Sequence, residues 1–139
     1  MRLRIVALLG AVALLAACAI HQIIDPVEDE TIEEICVVKN ETVREEFLTA
    51  VTEAIETHEI STRIVQESEA DSCPYKVTYT ANWGWDFTIY LVYADIRVWK
   101  GDQKIGESEY DSASGGMRLD KWVNAEKKVH ELVDGLFSP

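Results

Sequence analysis

The stretch YKVTYTANWGWDFTIYLVYADIRVW, Tyr75 to Trp99, decides the fold. Its first half alternates strictly. Tyr75, Val77, Tyr79, Ala81 and Trp83 fall on one side, and Lys76, Thr78, Thr80 and Asn82 on the other. That period of two belongs to a half-buried strand. Trp83-Gly84-Trp85-Asp86 is the expected reversal, with Gly84 free to take positive φ. From Phe87 onward the chain is apolar on both sides: Phe87, Ile89 and Leu91 share one face, and Tyr90, Val92, Ala94, Ile96 and Val98 the other. A strand of that kind belongs in a sheet interior.

Reading outward, Lys100-Gly101-Asp102 makes a turn and Gln103 to Tyr110 a returning strand. A glycine-containing loop from Ser112 to Gly116 leads to a helix near Leu119 to Phe137, with Leu119, Trp122, Val123, Val129, Leu132, Val133 and Leu136 as its buried stripe. Toward the N-terminus, Ser61 to Gln66 can form a short strand and Glu67 to Ser72 a polar connection. A helix ending about His58 shows the stripe Val43, Phe47, Ala50, Val51, Ala54 and Ile55. Asn40 or Thr42 offers its N-cap, and Glu45 completes a capping box with Thr42. Glu34 to Val38, rich in β-branched residues, reads as the first strand. The order β-α-(β)-β-β-β-α predicts an α+β fold, a mainly antiparallel sheet of about four strands with two helices on one face.

The 139 residues carry a net charge of -12, from 13 Lys+Arg against 25 Asp+Glu. The length and the 47% hydrophobic content fit one small domain. The acidity argues against a nucleic-acid binder, which needs a positive surface.

The N-terminus reads as an address. Arg2 and Arg4 precede an uncharged apolar run from Ile5 to Ala17. This is the layout of a secretory signal, and it is short for a membrane-spanning helix of about 20 residues. Leu15-Ala16-Ala17-Cys18 resembles the lipobox of bacterial lipoproteins. The resemblance implies a signal peptide over 1–17, cleavage before Cys18, and diacylglycerol on its thiol. Ala19 and Ile20 follow, without the Asp associated with inner-membrane retention. The lipoprotein resemblance therefore implies the outer membrane of a Gram-negative cell, with the domain facing the periplasm. Each buried acyl CH₂ contributes about 0.8 kcal/mol, so two or three chains make a stable anchor. Residues 18–31, with Pro26 and the acidic Glu28, Asp29 and Glu30, read as a solvated tether, and 32–139 as the single domain. Removing 17 of the 139 residues leaves 122 and, with Arg2 and Arg4 gone, takes the charge from -12 to -14.

Setting Cys18 aside leaves Cys36 and Cys73. An even number in an exported chain reads as a disulfide, and neither residue has a CxxC or a metal-ligand neighbour. Their bridge would close a loop of about 38 residues and stabilise a small core by about 4 kcal/mol in the chain-entropy model.

Beyond the lipobox, the tyrosine strand ending in Asn82-Trp83-Gly84-Trp85-Asp86, the strand Ala94 to Trp99, the turn Gly101 to Gly106 and the helix with Trp122 resemble small periplasmic lipoproteins of Shewanella-type proteobacteria. Those are proteins of unknown function, so the resemblance implies a fold and no activity.

The residues point to no catalytic site, cofactor or metal. There is no GxSxG or SxxK motif. His21, His58 and His130 lack HExxH-type spacing and read as isolated surface or helix-end histidines. Gly115-Gly116 lacks the Lys-Ser/Thr of a phosphate loop. Asp86, Asp95 and Asp111 are the carboxylates to weigh for acid–base hydrolysis, which needs two of them about 5–9 Å apart. Asp95 and Arg97, two apart on one strand face, read more simply as a solvent-side ion pair. Trp83 and Trp85 stand out, because a hairpin tip is usually polar. There they could touch a protein partner, a glycan strand or the membrane interface. The expectation is thus a lipid-anchored envelope protein acting by binding, as an accessory or assembly subunit with an envelope protein partner. The alternative is a small-ligand or glycan-binding module, and a hydrolase comes third.

Overall fold

A computed structural model describes residues 20–86, 88–112 and 124–138. Strand β1 covers His21–Asp25 and β2 Glu34–Val38. Helix α1 follows at Glu45–Glu56 and β3 at Ser61–Val65. A 3₁₀ turn at Glu67–Ser72 leads into β4 (Tyr75–Asp86), β5 (Thr88–Lys100) and β6 (Gln103–Asp111), and α2 (Ala125–Phe137) closes the chain. The class is α+β, as expected, but the sheet has six strands in the order β1-β6-β5-β4-β2-β3. It is mixed: β1, β6, β5 and β4 pair antiparallel, while β2 runs parallel to both β4 and β3.

β4 and β5 sit in the sheet interior because their apolar residues demand it. Val77 pairs with Val98, Tyr79 with Ile96 and Ala81 with Ala94, all beneath the helices. The apparent change of apolar face along β5 has a physical cause. The register slips between Asn82 and Trp83, so that Asn82 opposes Tyr93 but Trp83 opposes Leu91. An extra residue in one strand flips the alternation. Leu91 therefore joins Ala94 and Ile96 in the core, and all three are fully buried.

α1 buries Phe47, Leu48, Ala50, Val51, Ala54 and Ile55, and α2 buries Val129, Leu132, Val133 and Leu136. The two helices pack on each other and on one face of the sheet. The expected cap of α1 differs in detail. Arg44 holds the N-cap position without a side-chain bond, and Asn40 Oδ1 instead accepts from the Thr42 N–H and hydroxyl one turn earlier. α2 is capped by Asn124, whose side chain accepts from the Lys127 N–H. Leu119, Trp122, Val123 and the Ser112–Gly116 loop beyond its first residue lie outside the described residues.

Two expectations are corrected. The reversal is not at Gly84, because β4 continues to Asp86. Gly84 lies in the strand, where a Cβ would fall 2.7 Å from Val92 Cγ2 and 3.1 Å from the Tyr90 ring. Nor is the stretch up to residue 31 a loose tether from His21 onward. His21–Asp25 forms the edge strand β1 on β6, and the Val27 N–H donates to the Leu136 carbonyl at 2.9 Å. Glu30 accepts from the Tyr75 hydroxyl at 2.6 Å and from Lys100 at 3.0 Å. An edge strand exposes most of its side chains, so His-Gln-Ile-Ile-Asp reads as linker although its backbone is paired.

The Cys36–Cys73 disulfide is present. With Val38, Val65 and Ala70 it forms a small second core on the face away from the helices, where the 3₁₀ turn covers the sheet.

Candidate functional site

The helices cover one side of the sheet, and alternation sends every second residue of the long strands to the other. Thr78 and Thr80 of β4, Tyr93, Asp95 and Arg97 of β5, and Glu107 and Glu109 of β6 share that bare face. Across the ladders Thr78 opposes Arg97, which opposes Glu107, while Thr80 opposes Asp95, which opposes Glu109. The turn after β2 and the start of the 3₁₀ segment rise beside them. With Thr78, Thr80, Tyr93, Asp95 and Arg97 they line an open groove of about 670 Å³, and Glu107 and Glu109 stand outside its lining.

Asp95 and Arg97 of the groove belong to an ion-pair network that extends beyond it. Arg97 reaches Asp95 Oδ2 at 2.9 Å through Nη2 and Glu107 Oε2 at 2.7 Å through Nε. Lys104 holds the other Glu107 oxygen at 2.9 Å. Tyr93 Oη lies 3.5 Å from Asp95 Oδ2 and 3.4 Å from Glu109 Oε2. Asp95 is only 6% exposed, and its Oδ1 has no hydrogen-bond partner among the described residues. Burial raises the Asp95 carboxyl above the usual aspartate range, and the nearby Glu107 adds to this against the pull of Arg97. Glu107 moves the opposite way, lowered chiefly by Lys104. Burial, then the charges of Asp95 and Glu109, push the Tyr93 phenol up to about 12. Asp95 and Arg97 thus form the expected pair, but Asp95 is buried instead of facing solvent.

Carboxylate oxygens of Asp95, Glu107 and Glu109 lie within 4.8 Å of one another, as do ligand atoms of Glu53, Glu126 and His130 between the two helices. Either set could share a cation. In the first, Arg97 and Lys104 already offset much of the charge, and what remains is a set of acceptors able to take hydroxyl or ammonium donors.

The remaining candidates separate. Trp83 packs on the core, its ring 6.0 Å from Phe47 in an edge-to-face contact, with the Arg44 guanidinium 5.0 Å above it. Trp85, two residues on, is 75% exposed. His58 Nε2 lies 2.8 Å from Asp134 Oδ1 and ties the end of α1 to α2. Asp111 ends β6 opposite His21 and Tyr93, apart from Asp95. Cys18 and the side chain of Asp86 lie outside the described residues.

Sequence reasoning missed Tyr93, Glu107 and Glu109. The signal was present in the Gly101 turn. Pairing Lys100 with Gln103 and counting back across the hairpin brings Arg97 close to Glu107, and only the slip between Val98 and Trp99 had to be known.

No family model matches the chain, and no curated protein matches its sequence. Solved structures do share its architecture. A single-substitution variant of the PelC dodecamer from Paraburkholderia phytofirmans superposes with a TM-score of 0.61 at 7% identity, over 87% of this chain and 100% of that one. The fold is similar to that of PelC. A second crystal form of the PelC dodecamer gives 0.58 at 9% identity, over 86% and 99% of the two chains. At such identities the likeness is one of fold alone.

Proposed function

We propose that this chain is a lipid-anchored cell-envelope protein that works by binding, as an accessory or assembly subunit attached to the outer membrane and facing the periplasm. The observation that carries the binding role is the bare sheet face, where a groove of about 670 Å³ sits over the buried Asp95 carboxylate and its Arg97 bridge. A sheet face that no helix among the described residues covers offers extended surface for a partner. PelC, whose fold is similar, is a dodecamer in both structures described above, which supports a subunit role. The anchor rests on the lipobox-like Leu15 to Cys18; no helix among the described residues is long and apolar enough to cross a membrane.

Light scattering on the full chain, extracted from envelope membranes in mild detergent, tests the subunit role. A defined multimer or hetero-complex is expected, weakened by Arg97→Glu at the centre of the bare face. A monomer that neither self-associates nor crosslinks to an envelope protein would overturn it.

The second reading is a small-ligand or glycan-binding module. The unpartnered Asp95 Oδ1 favours it, because a buried acceptor without a donor suits a ligand hydroxyl. A defined glycan co-purifying with the monomer would establish that reading in place of the first.

A further inference from the structure

The β-ladders place the start of the described chain and the tip of the long hairpin at the same end of the sheet. His21 opposes Asp111, Asp111 opposes Tyr93, and Tyr93 opposes Asn82. β1 therefore begins on the row where β4 and β5 leave the other strands. Beyond it these two strands continue as a pair to Asp86 and Thr88. Four residues from Asn82 to Asp86, at about 3.3 Å each, carry the tip about 13 Å past that row.

One side of the projecting ribbon is apolar and becomes steadily barer. Leu91 is fully buried, and its partner Trp83 half-buried. The next pair outward, Trp85 opposite Ile89, is 75% and 53% exposed. A hydrophobic strip thus runs from the core to a point where no described residue covers it. Tryptophan with an aliphatic neighbour at a projecting tip suits a boundary that is apolar on one side and wet on the other.

The length of chain before β1 limits what that boundary can be. Cys18 precedes His21 by three residues, a reach of at most about 10 Å. An acylated Cys18 sits at the lipid surface, so the sheet end carrying His21 is held within about 10 Å of that surface. The tip lies two to three strands away, at about 4.8 Å per strand, and projects from this same end. We infer that the Trp85–Ile89 hairpin tip enters the interface of the membrane that holds the acyl chains, as a second contact that orients the bare sheet face. This rests on the lipid-anchor reading. With the net charge taken from -12 to -14 by loss of Arg2 and Arg4, attraction to anionic headgroups does not drive the contact; apolar insertion does.

The test uses the full chain purified from bacterial envelopes and reconstituted in phosphatidylethanolamine–phosphatidylglycerol vesicles with plain or brominated acyl chains. The chain has four tryptophans, so the signal of Trp85 is taken as the difference between wild type and Trp85→Phe. Trp85 is mostly exposed, and the variant should melt at the wild-type temperature. In brominated vesicles the Trp85 emission is expected to fall at least twofold, and Ile89→Ser should restore part of it. Equal emission in plain and brominated vesicles overturns the inference. So does shielding from acrylamide without quenching by bromine, which would mean a protein covers the tip. Intact mass separates the two failures: an acylated chain with unquenched Trp85 defeats the tip contact alone, and a chain without acyl mass defeats the anchor and the tip contact together.

Discussion

Tyr75 donates its phenolic hydrogen to Glu30 at 2.6 Å, joining the first residue of β4 to a segment 45 positions earlier. Lys100 completes the contact from the end of β5, at 3.0 Å from the same carboxylate. The bond shows that the acidic stretch before β2 is part of the folded domain. The Tyr75 and Lys100 hydrogen bonds hold the Glu30 carboxyl below its ordinary range. For an acid lowered on folding, the contribution is present above the unfolded value and is lost as pH falls through the folded one. Tyr75→Phe should therefore lower the melting temperature near neutral pH. The deficit should shrink in acid, below the ordinary glutamate range. A deficit that stays constant with pH would mean that packing, not this bond, is lost.

The Cys36–Cys73 bridge closes a loop with a sequence separation of 37. Replacing both cysteines with serine should destabilise the domain by about 4 kcal/mol in the chain-entropy model. Chemical denaturation of the two forms checks this. Reductant should weaken the wild type and leave the double variant unchanged.

Asp95 and Glu107 should titrate apart in carbon-detected NMR, Asp95 above the usual aspartate range and Glu107 below the usual glutamate range. A raised acid favours the fold below its unfolded value, and that contribution is lost as pH rises through the folded one. Asp95 thus costs stability when ionised, and Asp95→Asn should lose least, relative to wild type, at neutral pH and most in acid. Tyr93, pushed up to about 12, should be among the late phenols in an ultraviolet titration.

Gly135 lies in α2 against β1, and a Cβ there would fall 2.6 Å from Ile24 Cδ1 and 2.8 Å from its Cγ2. Gly135→Val should cost about 1–3 kcal/mol through overpacking. Hydrogen exchange should show the loss concentrated in β1. Protection lost evenly across the sheet would contradict the close approach.

The central architecture was legible in the chain, and the edges were not. Tyr75 to Trp99 showed its strands because the core dictates every second residue, and Val129, Leu132, Val133 and Leu136 showed their helix by spacing. β1 escaped because an edge strand has little to bury; only Ile24 and the following Val27 mark it. The bulge at Asn82–Trp83 escaped because a one-residue slip leaves composition unchanged, and the reversal was misplaced because Gly84 reads as a turn residue although it lies within β4. The candidate site was half visible. Asp95 and Arg97 declared themselves two apart on one strand, but Glu107 and Tyr93 join them only once the register of β5 on β6 is known. Trp85 was singled out for standing where polar residues belong, and the structure leaves it exposed while drawing Trp83 onto Phe47.

Attachment of the binding domain to the membrane through Cys18 is read from the intact mass of the full chain purified from bacterial envelopes. The predicted result is a polypeptide beginning at Cys18 that carries a diacylglyceryl group, and its release into the soluble fraction when Cys18 is replaced by alanine. A mature chain that begins elsewhere, or carries Cys18 as an unmodified thiol, would contradict it.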